Sequence, residues 1–331
     1  MEAAEKELIA KVSWLYYFGG HTQQEIADKM NLSRSKVGRL LSKALSEGII
    51  EIKFRAPSDS YHPSLEAEFE KRFQLREALI TNSSPDYKQL QDNLGRATAS
   101  YLERTLEDGF VLGIGLGTTI AAVVPHLGPG RAKNGTIVTL SGGFSQAGID
   151  NIPFNVGWPM ADRLNARLEI MLCPLVAESA GSCQAILNDG NLQAQLERAR
   201  QCDISLTSVG PINYEMNLYK FGYVAIEDVR SLITGGVVGE VLSSFYDASG
   251  QILETELNKR TIGLGIPDLE RIPTNVVVSG GLDKVEALLG ALRNGFLDVL
   301  ITDLETAQAI LAQGAGSEGE KVQVKETGHV S

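Results

Sequence analysis

The sequence of 331 residues predicts an α/β protein in two parts: a small N-terminal winged helix-turn-helix domain and a larger domain built on a mostly parallel sheet. Three observations support this fold class. Two helix-capping signals lie close together within residues 22–45. After residue 64, apolar runs of strand length alternate with helical periodicity, which is typical of a parallel sheet with helices on both faces. Residues 1–55 hold nine basic and seven acidic side chains, whereas the remainder holds 21 and 34.

Composition narrows the class of protein. The net charge of −11 argues against nucleic-acid binding by the whole chain. The uneven distribution of charge, however, fits a small basic DNA-binding domain attached to a larger acidic domain. Cys173, Cys183 and Cys202 are odd in number and lack metal-ligand spacing, so we expect no disulfide framework, no metal and no cofactor. The charged start is unlike a signal peptide and no apolar run is long enough to span a membrane. We therefore expect a cytoplasmic protein without membrane contact.

The first predicted helix covers residues 5–19 and ends at Gly19-Gly20. Most of the aromatic side chains between residues 14 and 18 are expected in the core. One tyrosine, Tyr16 or Tyr17, is instead a candidate to contact a DNA phosphate through its hydroxyl. The apolar stripe of this helix consists of Leu8, Val12, Leu15 and Tyr16.

Residues 22–45 predict a helix-turn-helix. Thr22 and Glu25 have capping-box spacing, Asn31-Leu32 breaks the helix, and Ser33 can cap the next one. That second helix separates an apolar stripe from a basic face, which suits a DNA major groove. A basic face alone is more often simply solvated, but here it coincides with both caps and a short turn. The stripe is Val37, Leu40, Leu41 and Ala44, and the basic face is Arg34, Lys36, Arg39 and Lys43.

The domain boundaries follow from composition. Residues 49–54 alternate as a strand that would form the wing, with Lys53 or Arg55 near the DNA backbone. A helix restarts at Ser64 with Leu65, Phe69 and Phe73 on one stripe. The predicted parts are the DNA-binding domain 1–55, a linker 56–63, the larger domain 64–313 and a frayed tail 314–331.

In the larger domain, buried strands should alternate with amphipathic helices. The predicted strands are 110–114, 136–140, 168–172, 203–209, 276–279 and 297–303. The predicted helices are 90–106, one that starts at Thr118, one that ends at Arg293 and one that ends at Gln313.

Three strand ends carry glycine turns: 113–119, Ser141–Gly143, and Ser279–Gly281 with Lys284 just after. Ligands of open α/β sheets lie beyond the carboxyl ends of the strands, and glycines let backbone N–H groups approach an anion. The first turn departs from the dinucleotide fingerprint, because Thr118 stands where its third glycine belongs, and it is no Walker loop. One such turn is usually only a tight connection, but three in one sheet favour a ligand pocket.

Two further residues are candidates for this pocket. Arg260 would add a positive charge to the pocket, although it could also be an ordinary surface residue. Asp247 could accept ligand hydroxyls, although Asp-x-Ser-Gly is also a good turn signal. The spacing shows no catalytic triad and no metal cluster, which favours binding over chemistry.

Several motifs in this order resemble the SorC family of bacterial transcriptional regulators, also called sugar-binding-domain regulators. Within it the chain is similar to the branch with the autoinducer-2 uptake operon repressor and polyol-operon regulators. The resemblance runs from about Leu8 to Leu311. It is carried by Trp14–Tyr17, Thr22–Ala27, Val37–Leu41, Glu47–Ile50, Thr139–Gly143, Phe245–Asp247, Thr261–Leu264, Ser279–Lys284 and Ile301–Ala307.

The resemblance implies an effector-responsive regulator of a carbohydrate or polyol operon, bound as a dimer or tetramer to a palindromic operator. It implies a C-terminal domain similar to sugar-phosphate isomerases that senses a sugar, polyol or sugar phosphate. An isomerase or deaminase with an accessory domain, using Asp247 as base, is the alternative. The DNA candidates are Tyr16, Tyr17, Thr22, Gln23, Ser33, Arg34, Ser35, Lys36, Arg39 and Lys43. The effector candidates are Gly115, Gly117, Thr118, Thr119, Ser141, Gly142, Gly143, Asp247, Arg260, Gly280, Gly281 and Lys284.

Overall fold

The computed structural model describes residues 3–52, 62–143 and 154–314. The chain divides into two compact units, Met1–Pro57 and Ser58–Ser331. No helix in the described ranges is long and apolar enough to cross a membrane.

The N-terminal unit contains three helices around one small core: α1 (Ala3–Tyr17), α2 (Gln23–Met30) and α3 (Arg34–Ser46). The predicted stripe of α3 is confirmed, since all four of its apolar residues are buried. They pack with one face of α1 and α2, which makes the two short helices stable despite their length. The core consists of Ile9, Val12, Leu15, Ile26, Ala27, Val37, Leu40, Leu41 and Ala44.

The structure corrects two expectations in this unit. Most of the aromatic side chains between residues 14 and 18 are not core: Trp14 is 59% exposed and Phe18 72%. Tyr16 lies outside the buried stripe of α1, where Ile9 packs instead. No strand forms over residues 49–52, because Ile49 and Ile50 both donate backbone N–H bonds to the Ala44 carbonyl and so close α3. The rest of the predicted wing, with Lys53 and Arg55, lies outside the described residues.

The larger unit alternates strands and helices along most of its length. Its strands are β1 (Glu77–Thr81), β2 (Val111–Ile114), β3 (Thr136–Thr139), β4 (Arg167–Glu169), β5 (Ile204–Thr207), β6 (Gly210–Pro211), β7 (Gly239–Val241), β8 (Ser244–Tyr246), β9 (Ile252–Leu253), β10 (Thr274–Val278) and β11 (Val299–Asp303). Its helices are α4 (Pro63–Phe73), α5 (Tyr87–Thr105), α6 (Thr118–Ala121), α7 (Phe154–Leu164), α8 (Ala180–Leu187), α9 (Gly190–Arg200), α10 (Asn217–Lys220), α11 (Ile226–Thr234), α12 (Ile266–Leu269), α13 (Val285–Asn294) and α14 (Leu304–Gly314).

Seven strands form one parallel sheet in the order β1-β11-β10-β5-β2-β3-β4. From β2 the chain adds β3 and β4 on one side, then crosses back to place β5 on the other. The direction of winding therefore reverses between β2 and β5, and a crevice opens beyond their carboxyl ends.

Alternate residues of the strands supply two separate cores. Val111, Val138 and Val277 pack in one cluster with α13, whereas Leu112 and Ile137 pack in the other with α5. Because successive side chains of a strand point to opposite faces, both faces of the sheet are covered, as the fold class predicted.

Two groups of strands in this unit were not predicted. Strand β1 forms the edge beside β11, and β6, β7, β8 and β9 form a small antiparallel sheet. The predicted linker 56–63 and tail 314–331 lie mostly outside the described residues, although Pro63 already begins α4 and Gly314 ends α14.

Candidate functional sites

The turn between α2 and α3 is fixed by caps at both helix starts. Thr22 and Glu25 form the predicted capping box, with Thr22 N donating to Glu25 Oε2 at 2.8 Å and Glu25 N donating to Thr22 Oγ1 at 3.3 Å. Asn31 ends α2 in the left-handed conformation, at φ 52°, and Ser33 Oγ accepts from Lys36 N at 3.2 Å. These local bonds set the start of α3, whose leading end carries the candidate base contacts.

The leading end of α3 presents exposed basic and hydroxyl groups. Ser33, Arg34, Ser35, Lys36 and Arg39 are all exposed. Within residues 3–52, none of these three cations forms an ion pair with a described carboxylate. Their charge is therefore available to an external anion such as a DNA phosphate.

Lys43 differs from the other cations of α3. Its Nζ lies 2.5 Å from Glu5 Oε1 on α1 and 3.8 Å from Glu47 Oε1. The hydrogen bond to Glu5 raises the pKa of Lys43, and its counterpart lowers the pKa of Glu5. Lys43 thus joins α3 to α1 and is a weaker candidate for a phosphate contact than the sequence indicated.

The remaining DNA candidates lie beside this surface. Tyr16 and Tyr17 are in edge-to-face contact, with ring centroids 5.0 Å apart. Gln23 is partly buried, and its Oε1 lies next to Gly38 of α3. Thr22 uses its hydroxyl in the capping box, where it also donates to Glu25 Oε2 at 3.0 Å.

A cavity of about 380 Å³ lies in the larger unit at the crevice between β2 and β5. Three groups of residues line it: the turn after β2 with α6, the chain that follows β5, and the end of the turn after β10. Tyr87, Val156, Leu175 and Glu240 also line it. Of the predicted effector residues, Gly117, Thr118, Thr119 and Lys284 line this cavity.

Lys284 supplies the cation of the cavity. It ends a one-turn 3-10 helix, Leu282–Lys284, and is only 7% exposed. Its Nζ lies 5.9 Å from the centroid of the Tyr87 ring, within the range of a cation–π interaction. Among the described residues it has no ion-pair partner. A buried ammonium that is in no ion pair favours binding of an anionic or hydroxyl-bearing group.

Thr118 and Thr119 place hydroxyl groups at the opposite turn. Thr118 Oγ1 accepts from Gln91 Nε2 at 2.8 Å, which leaves its own O–H free to donate, and Thr119 is 2% exposed. Gly117 precedes them at φ +145°, a conformation that favours glycine. Helix α6 has only four residues, so side chains here matter more than a helix dipole.

Glu240 on β7 lines the cavity together with two other acidic residues, Glu215 and Asp283, and the sequence did not reveal its role. It is partly buried, its Oε2 accepts from Ser243 N at 3.1 Å, and burial raises its pKa to about 7. The Ser243 bond and the charge of Lys284 lower the pKa but do not offset burial. Near neutral pH, Glu240 can therefore either donate or accept a hydrogen bond to a ligand hydroxyl.

Most of the other glycine-turn candidates have their backbone donors already in use. Gly115 N donates to Leu206 O, Gly142 N to Ile262 O, and Gly143 N to Cys173 O. Ser141 pairs with Gly263 in a β-bridge. Gly143 still lies close to the cavity, because its carbonyl accepts from the hydroxyl of Tyr223, which lines the wall.

The structure places Asp247 and Arg260 away from the cavity wall. Asp247 Oδ1 accepts from Ser249 N, Ser249 Oγ and Gln251 N, so the carboxylate holds the turn after β8. Arg260 Nη2 is paired with Asp228 Oδ1 at 2.5 Å. The turn explanation that the sequence left open fits Asp247, whereas Arg260 is partly buried and held in its ion pair; neither residue lines the cavity.

Gly280 and Gly281 approach a protein carboxylate. Gly281 N donates to Asp303 Oδ2 at 2.9 Å and to Thr306 Oγ1 at 2.8 Å. In the described ranges, no group of three or more His, Cys, Asp or Glu side chains could hold a metal ion.

Comparison with known proteins agrees with this two-part organisation. The family model described as "Putative sugar-binding domain" matches residues 61–312, and that described as "Sigma-70, region 4" matches residues 11–47. The Deoxyribonucleoside regulator of Bacillus subtilis is 30% identical over 312 residues, which are 94% of this chain and 99% of that protein. The Erythritol catabolism regulatory protein EryD of Brucella abortus is 28% identical over 330 residues, 96% of this chain and 100% of that protein.

A solved structure shows the same fold. The full-length Sorbitol Operon Regulator SorC from Klebsiella pneumoniae superposes with a TM-score of 0.71 at 24% identity, covering 94% of this chain and 99% of that chain. The sugar-binding model covers most of the chain, and the relatives align over nearly their whole length. The chain therefore belongs to the SorC family of sugar-binding-domain transcriptional regulators.

Proposed function

We propose that this regulator controls a carbohydrate or polyol utilisation operon, and that a small sugar, polyol or sugar phosphate bound in the cavity changes its affinity for operator DNA. The observation that carries the proposal is the buried, unpaired ammonium of Lys284 in a cavity with the hydroxyls of Thr118 and Thr119. Relatives named for deoxyribonucleosides and erythritol support this ligand class.

The binding mode follows from the chemistry of the wall. Lys284 takes the phosphate or the most acidic oxygen of the ligand. Glu240 and the threonine hydroxyls take its other hydroxyl groups. The aromatic ring of Tyr87 lies 5.9 Å from the ammonium and contributes a cation–π interaction.

A thermal-shift screen tests the proposal with matched pairs: sorbitol and sorbitol 6-phosphate, erythritol and erythritol 4-phosphate, deoxyribose and deoxyribose 5-phosphate. A ligand at a hundred times its Kd adds about 2.7 kcal/mol to the stability of the unit that binds it. The hit is then titrated into a gel shift on operator DNA found by in vitro selection. A hit that stabilises Lys284→Gln as well as the wild type, or that leaves DNA affinity unchanged, would contradict the proposal.

The DNA-binding end uses α3, with Arg34 and Arg39 at base edges and Lys36 on phosphates. Further hydrogen bonds to DNA come from residues at the edge of this surface: Ser33, Ser35, Tyr16, Tyr17 and Gln23. We propose a homodimer or homotetramer on a palindromic operator, because two-fold sites are read by two-fold proteins. Sedimentation equilibrium with and without operator DNA measures the number of copies.

The rival function is a sugar-phosphate isomerase or deaminase, with no need for operator DNA. Glu240 is the observation that favours it, since a carboxyl with a pKa of about 7 is poised to act as a base. Turnover of ribose 5-phosphate or glucosamine 6-phosphate by the wild type, lost in Glu240→Gln, would support an enzyme. We propose that neither is converted, and that the protein works in the cytoplasm as a regulator.

A further inference from the structure

The motif at residues 301–307 carries a buried carboxylate that the proposed ligand site does not use directly. Asp303 ends β11 and is 2% exposed. Its Oδ1 accepts from Ser83 Oγ at 2.6 Å and from Thr306 N at 3.2 Å. Its Oδ2 accepts from Thr306 Oγ1 at 2.5 Å and from Gly281 N at 2.9 Å. Four donors from three separate segments therefore meet on one carboxylate.

Two of these bonds, those from Ser83 Oγ and Gly281 N, come from other segments and exceed what a helix cap needs. The bond from Thr306 N is an ordinary cap at the start of α14. The bond from Gly281 N instead ties in the turn after β10, and Thr306 Oγ1 accepts from the same N–H at 2.8 Å. Such charge-assisted bonds are about twice as strong as neutral ones.

The glycines of the turn let the carboxylate come this close. A Cβ atom at Gly280 would lie 2.5 Å from Asp303 Oδ2, and Gly281 has φ +109°. A larger side chain would clash at Gly280 and would strain the backbone at Gly281, so glycine is favoured at both positions. The sequence attributed these glycines to a ligand, whereas here the group they approach is Asp303.

The clamped turn leads directly to the cavity. Lys284 N donates to Gly281 O at 3.0 Å, which closes the single 3-10 turn that ends at Lys284. The conformation of Gly281 thus determines where the Lys284 backbone stands, and hence whether its ammonium reaches the Tyr87 ring.

We propose that Asp303 is a positioning residue for Lys284: its carboxylate and the Thr306 hydroxyl hold the Gly280-Gly281 turn so that the lysine ammonium stays buried at the cavity wall. The functional value of this placement rests on the proposed function, but the placement itself can be tested with no ligand present.

Lysine reactivity in the full-length protein provides the test. The probe is brief reductive methylation with formaldehyde and dimethylamine-borane, followed by peptide mass spectrometry. The rate at Lys284 is measured relative to the exposed Lys133. In the wild type, Lys284 should be protected. In Asp303→Ala its relative rate should rise by roughly tenfold, because the turn opens locally without the clamp.

Two further variants separate positioning from general destabilisation. Thr306→Val removes the bridging hydroxyl but keeps the Thr306 N bond to Asp303, and should give a smaller rise. Asp298→Ala removes a carboxylate at the opposite end of β11, where its Oδ2 accepts from Asn275 N at 2.8 Å. This control should leave Lys284 protected.

The outcomes are distinct. Protection of Lys284 in Asp303→Ala, or an equal rise in Asp298→Ala, would overturn the proposal. If Asp303→Ala unfolds, so that all lysines react alike, Thr306→Val decides: a rise confined to Lys284 supports positioning, and no rise refutes it. Because no ligand enters the assay, a failed ligand screen would count against the proposed function alone.

Discussion

Glu240 carries a proton at a pH where a carboxyl normally does not. Burial raises its pKa from 4.5 to about 7. Below pH 4.5 both the folded and the unfolded chain hold this proton, so the group costs no stability. Between pH 4.5 and 7 the unfolded chain loses it first, so the free energy of unfolding falls as the pH rises.

Glu240→Gln removes this titration. We expect the variant to match the wild type at pH 4.5 and to become more stable than it by pH 8. The limit of the gain is about 3 kcal/mol, and it will be smaller because solvent reaches this partly buried group. Denaturant unfolding at both pH values measures the difference. An exposed control, Glu178→Gln, should show no such trend, and a parallel trend in both would refute the assignment.

Arg39 is the residue of α3 best suited to a guanine edge, because its fork can donate two parallel hydrogen bonds. Arg39→Ala should weaken binding to the selected operator by about 1–3 kcal/mol. Arg39→Lys keeps the charge but loses the fork, so it should lose operator preference more than affinity for random DNA. Equal operator affinity of all three proteins in a gel-shift titration would remove Arg39 from the base contacts.

Among the elements, the caps of the helix-turn-helix were predictable and the wing was not. Thr22, Glu25, Asn31 and Ser33 act through neighbours within four residues, so sequence spacing alone identifies them. Whether residues 49–52 become a strand depends on a pairing partner remote in sequence, and here their N–H groups turn back to Ala44 instead.

The cap of α3 has a measurable energetic role. Ser33→Ala removes the acceptor for Lys36 N and should cost about 1 kcal/mol of stability in the N-terminal unit. Ser35→Ala is the matched control, since Ser35 is also exposed but lies two residues further on, inside α3. Hydrogen exchange of the α3 amides should accelerate in the first variant only. Equal exchange in both would show that the cap contributes nothing.

Apart from its edge strand β1, the large sheet was predictable, because most of its strands are buried runs and several of them lead into glycine turns. The small antiparallel sheet escaped prediction, since its strands have only two or three residues and show no usable periodicity. Glu240 was missed with it, because nothing in its local sequence indicates that β7 faces the cavity. Backbone donors that are already occupied, as at Gly142, are likewise invisible before folding.

For the whole molecule, ligand binding and DNA binding should be separable by mutation. Lys284→Gln should abolish the effect of the screened ligand on operator affinity. Asp247→Asn should preserve that effect, because Asp247 holds a turn away from the cavity wall. Fluorescence anisotropy of labelled operator with and without ligand measures both. Loss of the ligand effect in Asp247→Asn but not in Lys284→Gln would restore the assignment of Asp247 made from the sequence and contradict that of Lys284.

The ion pairs of Lys43 bear on counterion release. Each lysine or arginine that neutralises a DNA phosphate displaces a condensed cation, so the logarithm of the association constant falls linearly with the logarithm of the salt concentration. With Lys43 held by Glu5 and Glu47, the α3 helices of the proposed homodimer offer two phosphate-binding lysines instead of four. Their share of the salt slope of the association constant should be roughly −2 rather than −4. Lys43→Gln should leave the slope unchanged, whereas Lys36→Gln should make it shallower by roughly 2. On this prediction, Lys43 stabilises the N-terminal unit without contributing to the ionic component of DNA affinity.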